Sequence, residues 1–232
     1  MAVERERGPL KYRSAFDIIG PVMVGPSSSH TAGALRIARV ARQLFGQEPT
    51  AVEFQLMGSF AETYRGHGTD RALVAGILGF STDDLRLPES LEYAKQIGLQ
   101  VILRLVHDTA YHPNTVRIVN RSQAQEATEV VGSSLGGGKI EIAEVDGFPV
   151  RLSGDRPGLI LWHRDQPGFL AAVLGRLAQQ NVNVARLTLD RTHRGAMALA
   201  AIELDEALAE PSTELWAPVQ QLVIKHRWLT PV

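Results

Sequence analysis

The last third of the chain shows six hydrophobic patterns in the order strand, helix, strand, strand, helix, strand, and this order limits the fold more than any other feature. After a linker at 155–158, GLILWHRD is typical of a buried strand and QPGFLAAVLGRLAQQ of an amphipathic helix. Two strand patterns then meet across 192–195, and a second helix at 211–226 precedes a closing strand at 227–232. The order predicts a ferredoxin-like βαββαβ domain, a four-stranded antiparallel sheet with its helices on one face.

The preceding residues mix helical and extended patterns. The segment 31–46 predicts an amphipathic helix that ends at a glycine, 51–59 predicts a strand, and 66–80 predicts a short buried helix. Further strand patterns follow, and the last two are joined by an Asp-Gly pair that is typical of a hairpin turn. We therefore predict an α+β protein, with an N-terminal α/β domain at 1–154 and the ferredoxin-like domain at 157–232.

The helical pattern at 31–46 has two chemically distinct faces. Its apolar face carries Ile37, Val40, Ala41, Leu44 and Phe45. Amphipathic spacing assigns Arg36, Arg39 and Arg42 to another, polar face.

Composition excludes several classes of protein. Lysine and arginine number 24 against 25 aspartates and glutamates, so the chain lacks the positive charge that neutralises nucleic-acid phosphates. The first residues are charged and no run of about 18 apolar residues occurs, which predicts a cytoplasmic protein without a membrane span. The absence of cysteine excludes a disulfide, a thiol nucleophile and a cysteine-held cluster on this chain. The few lysines include no good candidate for a Schiff base.

A first polar cluster, GPSSSHTAG, stands at the start of the 31–46 helix. Its side chains are Ser27, Ser28, Ser29, His30 and Thr31. A helix start presents unpaired N–H groups and partial positive charge, and hydroxyls with an imidazole beside it would bind the carboxylate of a small amino or hydroxy acid. The alternative is a serine-rich N-cap with a histidine that is satisfied locally.

Two further clusters also place a histidine among small polar residues. In GHGTD, glycines flank His67 and would let its imidazole project into a cleft, while Thr69 and Asp70 are candidate helix caps. In HPNT, the residues are His112, Asn114 and Thr115, at the start of a strand. Each cluster taken alone is also compatible with an ordinary turn. Together the three predict a small polar ligand held by pre-formed elements.

The ferredoxin-like region resembles an ACT domain, the amino-acid-sensing module of metabolic enzymes. The resemblance rests on D-x-P-G before the helix and N-x-N after it, over about 157–232. It implies an effector or a second copy of the module beside this turn, with Asp165, Gly168, Asn181 and Asn183 as candidate effector-binding residues. The alternative is that Asp165 and Gly168 only cap the helix and that the asparagines form ordinary turns.

The three polar clusters, in their order along the chain, carry a second resemblance. SAFDIIGPVMVGPSSSHTAGALRIARVAR, GHGTDRALVAGILGF and HPNTVRIV resemble the β chain of bacterial iron–sulfur L-serine dehydratase, and GSSLGGGKIEI and DGFPV also fit. The resemblance implies conversion of L-serine to pyruvate and ammonia, in serine catabolism, without pyridoxal phosphate. It further implies a [4Fe–4S] cluster on a separate α chain, which agrees with the absence of cysteine here.

The same resemblance implies roles for individual residues. Ser27, Ser28, Ser29, His30 and Thr31 would contact the carboxylate or ammonium of the substrate, and no residue of this chain would bind metal. His67 would reach the reacting carbon, with Asp70 holding its loop. His112, Asn114 and Thr115 would complete the wall that faces the cluster. Either His67 or His30 could take the α-proton, and we favour His67 because its glycine flanks permit close approach.

Two other functions fit the same patterns. The N-terminal region is also similar to the allosteric substrate-binding domain of some phosphoglycerate dehydrogenases, which implies a regulatory chain that binds an amino acid or anion without catalysis. A free-standing serine-sensing homodimer would need only the ACT region. Besides the α chain, we therefore expect a second copy as a partner, bound through the ACT or the N-terminal domain.

Overall fold

The computed structural model describes residues 21–107, 110–124, 126–208 and 213–232. A π-helix at Ser28–Gly33 and short 3₁₀ segments at Leu87–Glu89 and Thr213–Leu222 accompany the regular elements. The α-helices are α1 (Ala34–Phe45), α2 (Gly58–His67), α3 (Thr69–Ile77), α4 (Ser90–Gln96) and α5 (Phe169–Gln179). The strands are β1 (Ala51–Met57), β2 (Gln100–Val106), β3 (Thr115–Arg121), β4 (Ala127–Gly136), β5 (Lys139–Val145), β6 (Phe148–Leu152), β7 (Gly158–Arg164), β8 (Val184–Arg191), β9 (Met197–Leu204) and β10 (Val223–Leu229). Within these ranges no helix has the length and apolarity that crossing a membrane demands.

The first sheet has the order β2-β1-β3-β4-β5-β6, with β1 and β2 parallel and the other neighbours antiparallel. Helices α1 and α3 pack together, and their apolar side chains form one core with the sheet, including Leu35, Phe54 and Ile118. The predicted hairpin between β5 and β6 is confirmed. Asp146 and Gly147 both have positive φ, which matches the right-handed twist of the two strands.

The second sheet has the order β10-β7-β9-β8, with antiparallel neighbours throughout. This is the order of a ferredoxin-like sheet, so the predicted α+β class and the ferredoxin-like module are confirmed. Its two faces alternate along the strands. Leu161 and Ile202 pack with α5, whereas Ile160 and Trp162 belong to the same hydrophobic cluster as α1, so the second sheet is covered on both sides.

The predicted second helix of this module, at 211–226, is wrong. The described part of that segment is a 3₁₀ turn at Thr213–Leu222, and helical φ/ψ angles are lost at Trp216 and Val219, on either side of Pro218. Proline has no N–H to donate and its ring clashes with the preceding turn, so a regular α-helix does not form. Residues from Val223 onward pair with β7 instead, and the closing strand starts earlier than predicted.

Helix α2 was not predicted, because its sequence, GSFAETYRGH, lacks an apolar stripe and buries only Phe60. It follows β1 directly, through Gly58 at φ +51°. It ends at His67, and Gly68 at φ +66° joins it to α3. The predicted side-chain caps of α3 are also wrong: Gly68 is the N-cap, the Thr69 hydroxyl is buried without a partner among the described residues, and Asp70 accepts from the N–H of Arg71.

The assignment of Arg36 to a polar face of α1 is wrong as well. The Arg36 side chain is about nine-tenths buried. Its guanidinium donates to the backbone oxygens of Gly138 and Val232, at 2.5 and 2.9 Å, and pairs with Asp155 at 2.5 Å. Arg36 therefore joins α1 to the β4–β5 turn, to the segment between the two sheets and to the last residue of the chain.

We expect Arg36→Met to lower the free energy of unfolding by about 2–3 kcal/mol, because backbone oxygens that accept from a buried guanidinium would lose their donor. Urea denaturation followed by circular dichroism measures this. Arg151→Ala is the matched control, since it removes an ion pair with Glu141 that solvent reaches and should cost less than about 1 kcal/mol. Equal losses in the two variants would contradict the role given to Arg36.

Candidate active site

The π-helix at Ser28–Gly33 begins after Ser27, and both the hydroxyl and the carbonyl of Ser27 accept hydrogen bonds from its backbone. Ser27 Oγ accepts from the N–H of His30 at 3.1 Å, and the Ser27 carbonyl accepts from the N–H groups of Thr31 and Ala32. The capping interpretation is therefore confirmed for Ser27. Ser29 acts differently, because its hydroxyl lies beside the imidazole of the next residue. π-turns of this kind are frequent at functional sites.

The imidazole of His30 is held at both of its nitrogens. Nδ1 lies 3.0 Å from Ser29 Oγ, and Nε2 lies 3.0 Å from Ser59 Oγ in the first turn of α2. The ring meets Phe60 edge-on, with 5.3 Å between ring centroids. Ser59 and Phe60 were not identified from the sequence, because neither belongs to one of the polar clusters. What distinguishes them is their place just after the change from strand to helix at Met57.

The structure brings His67 against His30, with 4.6 Å between their ring centroids. His67 is the last residue of α2, and its carbonyl accepts from the hydroxyl of Thr31 at 2.9 Å. Nothing in the described ranges forms a hydrogen bond with Nδ1 of His67, which is buried. Any ligand that approached from outside would therefore meet Nε2 of this ring. The first two polar clusters thus converge on one site.

The backbone of the third cluster packs against the same site. The Phe60 N–H donates to the carbonyl of Pro113 at 3.4 Å, and a side chain on Gly58 would collide with Pro113. The carbonyl of Asn114 accepts a hydrogen bond from the N–H of Ser134. The side chain of Ser134 lies against Gly33 of the π-helix. The backbone of the HPNT segment is therefore tied to the first turn of α2 and to β4, next to the π-helix.

The side chains of the third cluster are arranged by local contacts. The hydroxyl of Thr115 is buried, donates to the carbonyl of His112 at 2.6 Å and lies 2.6 Å from Ser133 Oγ. The side chain of His112 is exposed, and its Nδ1 accepts from the N–H of Asn114 at 3.2 Å. No contact between described residues joins His112 to His30 or His67.

Asp70 follows His67 by three residues, in the first turn of α3. Its side chain lines a cavity of about 330 Å³ together with Tyr64, Arg65 and Leu103. Its carboxylate accepts from the N–H of Arg71, and no hydrogen bond in the described ranges joins it to His67. The geometry brings Ser27, Ser29, His30, Thr31 and His67 together, and leaves Asp70 to one side.

The four residues singled out in the ferredoxin-like module do not form one site within the chain. The predicted cap by Asp165 is wrong, since α5 has Gly168 as its N-cap, at φ +88°, without a side-chain hydrogen bond. Asp165 accepts instead from the N–H of Gly195 at 3.0 Å and from Arg191 at 2.6 Å, contacts that lower its pKa.

The two asparagines lie beyond the other end of α5. Asn181 has φ +58°, and Asn183 donates to the carboxylate of Asp205 at 2.6 Å. Because α5 contains 11 residues, about 16 Å of helix separates this end from Gly168. The contacts in the described ranges therefore assign Asn183 to a turn, in agreement with the alternative that the asparagines form ordinary turns.

The electrostatics of the histidine pair favour a neutral His30. Burial lowers the pKa of His30 below its ordinary value, and repulsion from His67 lowers it further. As the pH falls, His30 is protonated at a higher pH in the unfolded chain than in the folded protein. The stability of the folded state that comes from a neutral His30 is therefore fully present above about pH 6.5, and it is lost as the pH falls through the lower pKa of the folded state. At neutral pH, His30 is thus an imidazole with one N–H donor and one acceptor nitrogen.

The donors at this site suit an organic ligand better than a metal. They are hydroxyl and imidazole groups, and in the part of the chain that the structure describes no three His, Asp or Glu side chains gather as a metal site requires.

We expect His67→Gln to raise the pKa of His30, because it removes the repulsion from the second imidazole. The pKa should stay below 6.5, since burial is the larger cause. Titration of the imidazole carbon-bound protons by NMR between pH 5 and 8 measures the change. His112→Gln, at the exposed histidine, is the control and should leave the pKa of His30 unchanged. An unchanged value in His67→Gln would contradict the coupling.

Two family profiles match the chain. The profile described as serine dehydratase beta chain matches residues 14–109, and the ACT domain profile matches residues 157–212. The first range contains the π-helix and the histidine pair, and the second contains most of the ferredoxin-like sheet. The ACT-domain resemblance of this module is thereby confirmed.

Relatives extend the similarity to both parts of the chain. A probable L-serine dehydratase, beta chain, of Bacillus subtilis is 48% identical over 197 residues, 85% of this chain and 89% of that protein. The L-serine dehydratase, beta chain, of Peptoniphilus asaccharolyticus is 43% identical over 198 residues, with the same coverage of 85% and 89%. A D-3-phosphoglycerate dehydrogenase of Synechocystis is 26% identical over 87% of this chain but only 37% of its own length. The chain belongs to the serine dehydratase beta-chain family.

Proposed function

We propose that this chain is the β subunit of a two-chain L-serine dehydratase, an L-serine ammonia-lyase that forms pyruvate and ammonia. In this proposal the chain supplies one wall of an active site, and an α chain supplies the other. The observation that carries the proposal is the convergence of His30 and His67, which are far apart in sequence, beside a hydroxyl-rich π-helix. The names of the two beta-chain relatives support a separate α chain.

The serines are suited to bind the charged groups of an amino acid. Ser27 and Ser28 lie at the beginning of the π-helix and are half-buried, so their hydroxyls can donate to a carboxylate or accept from an ammonium. Thr31 is buried, and its hydroxyl holds the backbone of His67. We therefore assign Thr31 to the framework of the site, and Ser27 and Ser28 to the substrate.

His67 is the proposed general base. Nε2 is the nitrogen that a substrate would meet, because Nδ1 is buried. His30 already has a hydroxyl at each nitrogen, so the α-carbon of the substrate would have to displace one of these hydroxyls to deliver its proton. A base on His67 with a neutral His30 beside it also avoids two adjacent positive charges in a half-buried site.

Expulsion of the substrate hydroxyl needs an electrophile, and the sequence has no cysteine that could hold an iron–sulfur cluster for this purpose. In the proposal the Lewis acid for that hydroxyl would be supplied by a [4Fe–4S] cluster ligated by cysteines of the α chain. The residues of this chain bind the amino acid, orient its α-carbon toward His67 and remove the proton. No pyridoxal phosphate is required for these steps.

We expect His67→Ala to lower kcat by about 10²–10⁴, the usual contribution of a positioned base, with an unchanged circular dichroism spectrum. The assay is anaerobic formation of pyruvate from L-serine by the chain co-expressed with the cysteine-containing α chain. His193→Gln, in an exposed hairpin of the ACT module, is the matched control and should retain activity. An active His67→Ala enzyme would refute the assignment of the base.

The same assay separates the dehydratase from the regulatory alternative. The regulatory alternative, a chain that binds an amino acid or anion without catalysis, rests on the resemblance to the allosteric substrate-binding domain of some phosphoglycerate dehydrogenases, and a D-3-phosphoglycerate dehydrogenase is among the relatives. Such a chain would add no pyruvate formation to the α chain alone, and this result with the unmodified protein would refute the dehydratase proposal.

We also propose that two copies of the chain pair along β8. This strand is at the edge of its sheet, and Leu187 and Leu189 are 37% and 44% exposed on the face that carries α5. An antiparallel self-pairing centred on Thr188 would place Leu187 opposite the partner's Leu189. On the other face it would place Arg186 opposite the partner's Asp190, so both faces are complementary.

We expect Asp190→Lys to weaken this dimer about tenfold, because it places two positive side chains opposite each other at two symmetric positions. Sedimentation velocity over a range of concentrations measures the dissociation constant. Glu206→Lys is the matched control, with the same change of charge at an exposed position of the same module outside β8. Equal dissociation constants in the two variants would refute pairing through this strand.

A further inference from the structure

The contact between Ser59 and His30 suggests a role for a residue that none of the polar clusters contains. Ser59 is half-buried, and its Oγ lies 3.0 Å from Nε2 of His30. We propose that Ser59 is a positioning residue that fixes the orientation and the tautomer of His30, and through it the placement of His67. This inference rests on the proposed function, since it assigns Ser59 to the same active site.

The position of Ser59 is determined by the turn between β1 and α2. Gly58 adopts a positive φ of +51° and approaches Pro113 too closely to tolerate a side chain. The chain therefore turns at once from strand to helix, and the next residue lies in the first turn of α2. Thr63 donates its hydroxyl to the Ser59 carbonyl at 2.8 Å, which helps to hold that turn in place.

The chemistry of a neutral imidazole couples Ser59 to Ser29. Because one ring nitrogen carries the proton and the other does not, one of the two serines must donate to the ring and the other must accept from it. Ser29 Oγ also lies 3.3 Å from Ser27 Oγ. The choice of which hydroxyl donates and which accepts therefore extends to Ser27, at the start of the π-helix. With both serines present, rotation of the ring or exchange of its tautomer would require the whole network to rearrange.

Contacts with His30 would transmit this constraint to His67. Phe60 borders the His30 ring edge-on, and His67 lies on it at 4.6 Å between centroids. Nδ1 of His67 has no hydrogen-bond partner in the described ranges, so no side chain orients its ring through that atom. Packing against a fixed His30 is therefore a contact through which the ring of His67 is oriented. A small displacement of a catalytic group can lower the rate strongly without changing substrate binding.

The test uses the isolated chain first. In ¹⁵N NMR spectra at pH 7.5, the two ring nitrogens of His30 in the unmodified protein should have the widely separated shifts of a single neutral tautomer. We expect Ser59→Ala to bring the two shifts together, because the tautomers then exchange. Ser59→Thr keeps the hydroxyl and should preserve the separation. Unchanged shifts in Ser59→Ala would overturn the proposal.

The second measurement uses the complex with the α chain. We expect Ser59→Ala to lower kcat about tenfold while KM changes less than about twofold, and Ser59→Thr to recover most of the loss. Equal activity of Ser59→Ala and the unmodified complex would overturn the positioning role and leave the proposed function intact. An unmodified complex without serine-dependent pyruvate formation would instead refute the proposed function, whatever the NMR result.

Discussion

Contacts between α1 and the final strand region hold the two modules together, and the geometry of the histidine site depends on them. Arg227 of β10 donates to the carbonyls of Leu44 and Phe45 at the carboxyl end of α1, where a cation is favourable. Gln43 exchanges two hydrogen bonds with the backbone of Thr230. Near the other end, Arg36 donates to a backbone oxygen of Val232. The last residues of the chain thus run along α1 over most of its length.

The amino end of α1 continues directly from the π-helix, so a constraint on α1 is also a constraint on His30. The site is completed by close backbone approaches that only small residues permit. Gly33 packs against Ser134, and Gly58 packs against Pro113. Any side chain at these positions would separate the π-helix from β4, or α2 from the HPNT segment. The convergence of the polar clusters is consequently a property of packing across the whole N-terminal module.

The sequence predicted the parts of the fold that have a regular hydrophobic period. The ferredoxin-like strand order, the hairpin at Asp146 and the end of α1 at Gly46 all follow from such patterns. The short helix α2 could not be predicted in this way, since a helix that buries only Phe60 has no apolar stripe. The second ACT helix failed because Pro218 overrides an otherwise helical pattern.

The sequence predicted the types of residue at the site better than their partners. His30 and His67 were identified because histidines among glycines and serines are unusual, yet only the fold shows that their rings touch. Ser59 was missed because a serine after a strand has no distinctive signal. Arg36 and Asp165 were misassigned for a related reason: a charged side chain near a helix has the same local pattern whether it faces solvent, caps the helix or binds a distant carbonyl.

The surroundings of His30 fit the proposal that a second chain completes the site. A neutral imidazole between two hydroxyls carries no charge, so the half-buried site remains stable without a partner at neutral pH. A site built from paired ions would leave charges poorly compensated whenever the α chain is absent. Neutral donors and acceptors can also reverse their hydrogen bonds when a charged substrate arrives. The serine-rich composition of the π-helix is therefore consistent with a wall that is preformed on one subunit and becomes functional on assembly with another.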